Sequence, residues 1–256
     1  MTTHAVVTGA AGAIGAAIAK SLVRRDPRVK LTLIDVAEDR ARALARSLGP
    51  DHEALAWDLA DVDGLEAQLS ALVARRGSID TLINCAGVME IRSFAGTPWS
   101  IGERLVAIDL LSPLRLMSLV VPEMRARGRG TIVNVSSMAG VTPLRGCSYY
   151  GAAKAGLAMA SEIAHLELAP EGVHVVTVYP GPVRSELERR ARAQARPGLV
   201  ASLLPTGDAS ALAERVIEAC ERRRARVFYP ALYDVAGRFP AIASRVTRAF
   251  SPLPIA

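Results

Sequence analysis

Tyr150 and Lys154 stand four residues apart in Ser148-Tyr149-Tyr150-Gly151-Ala152-Ala153-Lys154, an Ala-rich run that predicts helix. At that spacing the two side chains share one helix face, a turn apart. A tyrosine beside a lysine that stays cationic has a stabilised phenolate. The spacing therefore predicts a phenol drawn down from its ordinary pKa of about 10 towards working pH, able to act as general acid–base. Ser137, thirteen residues before Tyr150, closes the β-rich run 130–137. A hydroxyl at that strand end can hydrogen-bond a substrate oxygen while Tyr150 exchanges a proton with it, which suits interconversion of a carbonyl and an alcohol. A tyrosine at helical spacing is equally the pattern of a packed core or interface residue, so this chemistry depends on a dinucleotide site elsewhere in the chain.

Such a site is written near the N-terminus. Ala5-Val6-Val7-Thr8 reads as a short buried strand, Gly9-Ala10-Ala11-Gly12-Ala13-Ile14-Gly15 follows at once, and residues 16–23 read as helix. In a strand–turn–helix setting, glycines let backbone N–H groups approach a pyrophosphate at the positive end of a helix. Gly9, Gly12, Ala13, Ile14 and Gly15 are therefore candidate cofactor contacts. Asp35 ends a second strand (29–35), 20 residues beyond Gly15. A carboxylate there can accept both hydroxyls of an adenosine ribose and repel a 2′-phosphate. The glycine turn carries no arginine or lysine, so NAD is expected over NADP. Arg40, one turn into the helix 37–48, is the residue able to reverse that preference. Capping of the same helix is the alternative role for Asp35.

These residues need a frame that brings them to one edge. A strand at 53–57 leads to Asp58-Leu59, a helix at 62–76, and a strand from Asp80 to Asn84 that runs into Cys85-Ala86-Gly87. A long, mostly apolar helix at 99–127 carries Pro113 and Pro122. The serine strand follows, then the tyrosine helix to Ala169, a strand at 173–179 ending in Pro180-Gly181-Pro182-Val183-Arg184-Ser185, a helix at 208–224 and a strand at 226–229. Strand alternating with helix predicts an α/β fold, a doubly wound, Rossmann-like parallel sheet of about seven strands with helices on both faces. Ligands in such sheets sit at the carboxyl ends of the strands, where Thr8, Asp35, Asp58, Asn84 and Ser137 would all fall. Asp109 lies one turn before Pro113, and a proline frees a carbonyl that can hold a water. With no repeat or linker, residues 1–256 read as a single dinucleotide-binding catalytic domain. Residues 184–205, arginine-rich and irregular, are a candidate substrate lid, and 230–256 form a basic tail.

Half of the 256 residues are apolar and 22% charged, an ordinary globular mix. The uninterrupted apolar runs fall short of the roughly 20 residues of a bilayer span, and the start of the chain lacks the pattern of a secretory leader. Stable membrane insertion is not expected. Cys85, Cys147 and Cys220 are widely spaced and odd in number, which fits reduced thiols in a cytoplasmic protein and neither a disulfide scaffold nor a metal site. The net charge of +6 is concentrated from Glu221 onwards, where seven arginines face two acids, Glu221 and Asp234. No aromatic-interleaved basic platform accompanies them, so a solvated surface is expected and not a nucleic-acid interface. The tyrosine helix is apolar or small on more than one face (Gly156, Met159, Ala160, Ile163, Leu166), which predicts burial or a subunit interface.

Taken together, the chain resembles the short-chain dehydrogenase/reductases. Thr8-Gly9 with Gly15, Asn84-Cys85-Ala86-Gly87, Ser136-Ser137, Tyr150-Gly151-Ala152-Ala153-Lys154 and Pro180-Gly181 occur in that family's order and spacing. The resemblance implies that Ser137 orients the substrate, Tyr150 is the acid–base, and Lys154 holds the nicotinamide ribose while lowering the Tyr150 pKa. It implies cofactor contacts at Asp58, Leu59, Asn84, Ala86, Gly87, Pro180, Gly181, Val183 and Ser185, and a homodimer or homotetramer. Three departures stand out. Ala13 replaces a glycine of the classical turn, and Gly12 comes earlier. Cys85 replaces a second Asn, a position tied mainly to sheet stability. Asp109 stands where an Asn that anchors a relay water is expected, so a carboxylate beside Lys154 can alter the Tyr150 pKa.

The expected activity is NAD-dependent interconversion of a secondary alcohol and a ketone. The alternatives are a catalytically silent dinucleotide-binding regulator and an NADP-dependent ketoreductase of the same fold. The substrate pocket is expected to be walled by Ser137, Met138, Leu144 and Cys147, by residues 88–94 and by the lid. Most of these walls are apolar, which favours an uncharged, moderately apolar substrate. Arg184, Arg189, Arg190, Arg192 and Arg196 could clamp an anion, but Glu186 and Glu188 among them favour local pairing.

Overall fold

The computed structural model describes residues 3–195, 205–251 and 253–255. Among these, seven parallel strands form one sheet in the order β3-β2-β1-β4-β5-β6-β7: β1 (His4–Thr8), β2 (Lys30–Ile34), β3 (Glu53–Leu55), β4 (Thr81–Asn84), β5 (Gly130–Val135), β6 (Val173–Pro180) and β7 (Arg226–Tyr229). The helices between them are α1 (Ala13–Arg25), α2 (Glu38–Leu48), α3 (Leu65–Arg76), α4 (Trp99–Val106), α5 (Ser112–Ala126), α6 (Ser148–Leu168), α7 (Glu186–Ala193) and α8 (Ala209–Glu221); α9 (Leu232–Arg238) and α10 (Pro240–Phe250) close the chain. The chain winds outward from β1 to β3 and then, from β4, in the opposite direction. The reversal between β1 and β4 opens the crevice in which doubly wound sheets bind ligands.

Helices on both faces explain why the strands are apolar without alternation. All residues of β1 and β6 are buried. Val7, Leu33 and Val176 face one core with Ile18 of α1 and Leu212 and Val216 of α8. Val6, Ile34, Leu82 and Val175 face the other, with Leu65 and Leu69 of α3 and Leu116 and Val120 of α5. Burying side chains of this size is worth about 1.5–3 kcal/mol each, so both faces hold the site-bearing strand ends in register.

Three expectations are corrected. Strand β3 stops at Leu55, before Trp57. The lid is not irregular where it is described, because residues 186–193 form α7, capped by the Ser185 hydroxyl, which accepts from the Glu188 amide at 3.1 Å. The run at 99–127 is not one regular helix. A π-helical turn (Ala107–Leu111) separates α4 from α5, with the Ser112 amide bonded back to the Ala107 carbonyl. Pro113 has no N–H to offer Asp109, which accounts for the altered ladder there. The run Trp99–Ala126, 28 residues containing an 18-residue stretch with a mean hydropathy of 1.7, is long and apolar enough to cross a bilayer. Counting uninterrupted apolar runs overlooked it. In the fold its inner face, including Leu105, Ile108, Leu116, Val120 and Met124, is part of the core.

Candidate active site

Strand β1 delivers the chain into the glycine turn at the reversal point. Gly9 has φ of +65°, and a Cβ on it would lie 2.6 Å from the Ala86 Cα, so glycine alone lets the turn lie against the 85–87 loop. Thr8 ties the two together, its hydroxyl accepting from the amides of Cys85 (3.1 Å) and Ala86 (3.2 Å). Helix α1 starts at Ala13 with Gly12 as its N-cap, and no side chain caps its first turn. The amides of Ala13, Ile14 and Gly15 therefore form a helix end fit for a pyrophosphate.

Beside this turn, Asp35 Oδ2 accepts from the Ala11 amide at 2.8 Å and Oδ1 from the Ala37 amide at 2.9 Å. Each oxygen keeps a lone pair for a ribose hydroxyl. The carboxylate braces the turn, while α2 takes Ala37 as its cap without a side-chain bond. Arg40 reaches across to Glu186 of α7 (3.4 Å). Asp58 accepts from the Ala60 amide at 3.0 Å and pairs with Arg104 at 3.3 Å, and in that order these hold its carboxyl below the ordinary range. Leu59 buries its side chain in the core. Pro180 ends β6, the Gly181 amide donates to the Tyr229 carbonyl at 2.7 Å, and Val183 pairs with Gly207, so this cofactor-side segment is fixed by β7 and the loop before α8.

Asn84 commits its side-chain amide within the protein. Its amide donates to Asn134 Oδ1 at 2.8 Å, and Asn134 donates to Ser161 at 2.7 Å. The Asn84 side chain thus works inside the sheet, joining β4, β5 and α6. The stabilising role expected of the Cys85 position falls on Asn84.

The chemistry-bearing side chains converge where β5 meets α6. Ser137, just past the end of β5, accepts from the Ala139 amide at 3.1 Å, and its hydroxyl is the hydrogen-bonding group beside the buried Tyr150 phenol. Lys154 Nζ donates to the Val135 carbonyl at 3.0 Å and to Asp109 Oδ1 at 3.0 Å, and lies 5.9 Å from the Tyr150 ring centre. Asp109 enters from the π-helical turn, and both of its oxygens accept from the Val88 amide, at 3.3 and 3.4 Å. A Cβ at Gly87 would lie 2.7 Å from Asp109 Oδ1, so that loop passes the pair only as glycine.

The expected lowering of the Tyr150 pKa is not what this environment produces. Burial pushes the phenol up, Lys154 pulls it down, and Asp109 pushes it up again, leaving it above its ordinary value. Burial works against the Lys154 charge, but the Asp109 carboxylate and then Tyr150 outweigh it, and the ammonium is held above its ordinary value. Asp109 itself is raised above the ordinary carboxylate value by burial, with Lys154 and the Val88 amide drawing it part of the way back. The hydrogen-bonding groups around its carboxyl are all donors, the setting of an ionised carboxylate.

On the substrate side, Tyr150 packs with Ala139 and Cys147, and Met89 and Ile91 lie against them. Ile91 also lines a cavity of about 200 Å³ with Arg92, Ala193, Gln194 and Ile255. Gln194 joins its walls: Oε1 accepts from the Ile91 amide (2.8 Å), Nε2 donates to Glu90 (2.9 Å), and its carbonyl accepts from the Ile255 amide (2.9 Å). Two candidate substrate contacts lie elsewhere. Met138 turns into a cluster with Ala158 and Tyr179, and Leu144 stands on the surface, 37% exposed. Ile255 was missed, because nothing in its spacing links a tail residue to Tyr150. On α7, Arg190 pairs with Glu186 and Arg192 with Glu188, while Arg184 meets Asp208 at 3.2 Å, the local pairing expected. Arg196 lies outside the described residues.

A doubly wound parallel sheet with a glycine turn at its reversal point and Ser, Tyr and Lys on the same edge defines a dinucleotide-dependent oxidoreductase. Residues 3–196 match the family model described as short chain dehydrogenase, and the chain belongs to that family. It is 34% identical over 206 residues to D-threitol dehydrogenase from Mycolicibacterium smegmatis, covering 79% of this chain and 78% of that protein. Among solved structures it is similar to a short-chain dehydrogenase from Sphingobium yanoikuyae in complex with NADPH (TM-score 0.81, 29% identity, 96% of this chain and 94% of that one). It is also similar to the bulky-bulky ketone specific alcohol dehydrogenase from Comamonas testosteroni (TM-score 0.78, 26% identity, 96% and 93%). The fold of this family binds a nicotinamide dinucleotide, and the uncapped α1, Gly9 and Asp35 fit one.

Proposed function

We propose that the protein is an NAD-preferring oxidoreductase that interconverts a secondary alcohol and its ketone, with Tyr150 as the acid–base. The observation that carries this reading is the convergence of Ser137, Tyr150 and Lys154 on the sheet edge that holds the glycine turn. When bound, the dinucleotide supplies the hydride acceptor or donor. Ser137 orients the substrate oxygen and Tyr150 exchanges a proton with it. Lys154 has three N–H donors, of which Val135 and Asp109 occupy two, so one remains for a ribose hydroxyl. The first turn of α1 receives the pyrophosphate and Asp35 the adenosine ribose. Similarity to a D-threitol dehydrogenase and to a ketone-specific alcohol dehydrogenase supports alcohol–ketone chemistry. The apolar Ile91, Ala193 and Ile255 support an uncharged, moderately apolar substrate body.

Asp35 beside the turn, with Arg40 engaged by Glu186, supports NAD. The NADP reading draws on the Sphingobium relative, which holds NADPH. In this chain it requires Arg40 to leave Glu186. Residues 1–256 act as one catalytic unit in this reading, with α7 in the lid. Exposed Met159, Ile163 and Leu166, at i, i+4 and i+7 on α6, support a homodimer or homotetramer. Three free cysteines support a reducing, cytoplasmic setting. The test is a panel of secondary alcohols and ketones assayed with both cofactors. Turnover with kcat/KM favouring NAD(H) is expected. Binding of NADH without turnover on any member would favour the silent regulator.

A further inference from the structure

We propose that Asp109 is a positioning residue that competes with Tyr150 for the charge of Lys154, so that alcohol oxidation runs only at alkaline pH while carbonyl reduction runs at neutral pH. The proposal rests on the reading of Tyr150 as acid–base given above. Its basis is the buried geometry. The Lys154 and Asp109 side chains are 4% and 0% exposed and 3.0 Å apart, and the carboxylate is further fixed by the Val88 amide. A neutral amide at position 109 would leave the full ammonium charge to stabilise a phenolate. A carboxylate makes the pair neutral as seen from Tyr150, and in a dry site that difference is large.

The other groups around the phenol do not change this balance. Tyr150 is faced by Lys154 from its own helix, by Asp109 from the π-helical turn, by Cys147 from the turn before α6, and by the uncharged Ser137 hydroxyl from the end of β5. Cys85, beyond the end of β4, faces Lys154 from the other side. Burial pushes the Cys147 thiol up to about 11 and the Cys85 thiol up to about 12, so both stay neutral at working pH. Asp109 is therefore the group that offsets Lys154. In oxidation the Tyr150 phenolate would take the alcohol proton and in reduction the phenol would return it, while a bound dinucleotide would supply the matching hydride acceptor or donor. A phenol that stays protonated is a ready donor for reduction and an unavailable base for oxidation.

The experiment is kcat/KM against pH, in both directions, for the wild type and Asp109→Asn. The rising limb of oxidation should move to lower pH by about one unit in the variant, about a tenfold gain in neutral-pH oxidation relative to its own plateau. A limb that stays within about 0.3 units, or moves up, overturns the proposal. If Asp109→Asn turns over too slowly or folds poorly, Asp109→Ser serves, read by the ultraviolet titration of the phenol in the NADH complex. There the Tyr150 signal is isolated by difference from Tyr150→Phe, and it should titrate lower without Asp109. Retained turnover in Tyr150→Phe would sink the acid–base reading itself. An inactive Tyr150→Phe with an unmoved Asp109→Asn profile would sink only the role of Asp109.

Discussion

Asp109–Lys154 and Arg184–Asp208 are ion pairs of nearly the same length, 3.0 and 3.2 Å. The first is sealed inside the site, whereas the side chains of the second are 66% and 50% exposed. Water around the lid pairs screens their charges and leaves them worth about 0–1 kcal/mol. Inside the site neither charge can be left alone, so each partner fixes the protonation of the other. The lid arginines, conspicuous in the sequence, neutralise nearby acids, Arg190 and Arg192 within α7 and Arg184 at Asp208. The inconspicuous pair, joined from the π-helical turn and α6, sets the electrostatics of Tyr150.

The largest effect expected follows from removing the buried cation. Lys154→Ala should lower turnover by about 10²–10⁴-fold and weaken NADH binding as well, measured by steady-state kinetics and fluorescence titration. Intact NADH binding would show that the ammonium does not reach the cofactor.

Stability should separate the two kinds of pair. Asp109→Ala strands Lys154 and should cost about 3–5 kcal/mol, whereas Glu186→Gln, which breaks the exposed pairs with Arg40 and Arg190, should cost at most about 1 kcal/mol. Urea denaturation of both variants checks this. Equal costs would mean that burial is not what distinguishes the pairs.

Next in size is cofactor choice. Asp35→Ser removes the carboxylate that would face a 2′-phosphate and should move the NAD/NADP ratio of kcat/KM towards NADP by about tenfold. The exposed Arg40 should add little unless it leaves Glu186, so an Asp35→Ser ratio unchanged from wild type would assign cofactor choice elsewhere.

The smallest effect concerns a buried histidine. Among the described residues, His174 has no carboxylate partner comparable to Asp109. Burial, then Arg223, then His165, whose ring centre is 5.6 Å away, hold its pKa below the ordinary 6.5. The unfolded chain therefore takes up more protons as pH falls through 6.5. The stability tied to neutral His174 is complete above that pH and lost below it. Melting temperature should decline on acidification from neutral pH, and His174→Gln should flatten the decline; an unchanged slope would assign it to other groups.

The strand ends and the glycine turn were legible because their signals are local. Thr8, Gly9, Asp35 and Ser137 each follow an apolar run, and parallel winding brings such ends to one edge. Tyr150 and Lys154 were legible from helical spacing. That Asp109 can alter the Tyr150 pKa was legible too, but the direction was not, because spacing gives adjacency and the sign of a shift depends on burial and on all neighbouring charges. The π-helical turn that aims Asp109 at Lys154 arises from Pro113, whose effect on helix phase the residue letters do not state. The bond from Asn84 to Asn134 was not legible because it crosses a strand pair, and Ile255 was missed because only the folded tail brings it to Gln194.

Tyr150→Phe tests the account most directly, assayed for NADH formation from secondary alcohols alongside an NADH-binding titration. Turnover should fall by about 10²–10⁴-fold while NADH affinity stays near that of the wild type. A variant that keeps more than about a hundredth of the wild-type rate would contradict the assignment of Tyr150 as the group that moves the proton.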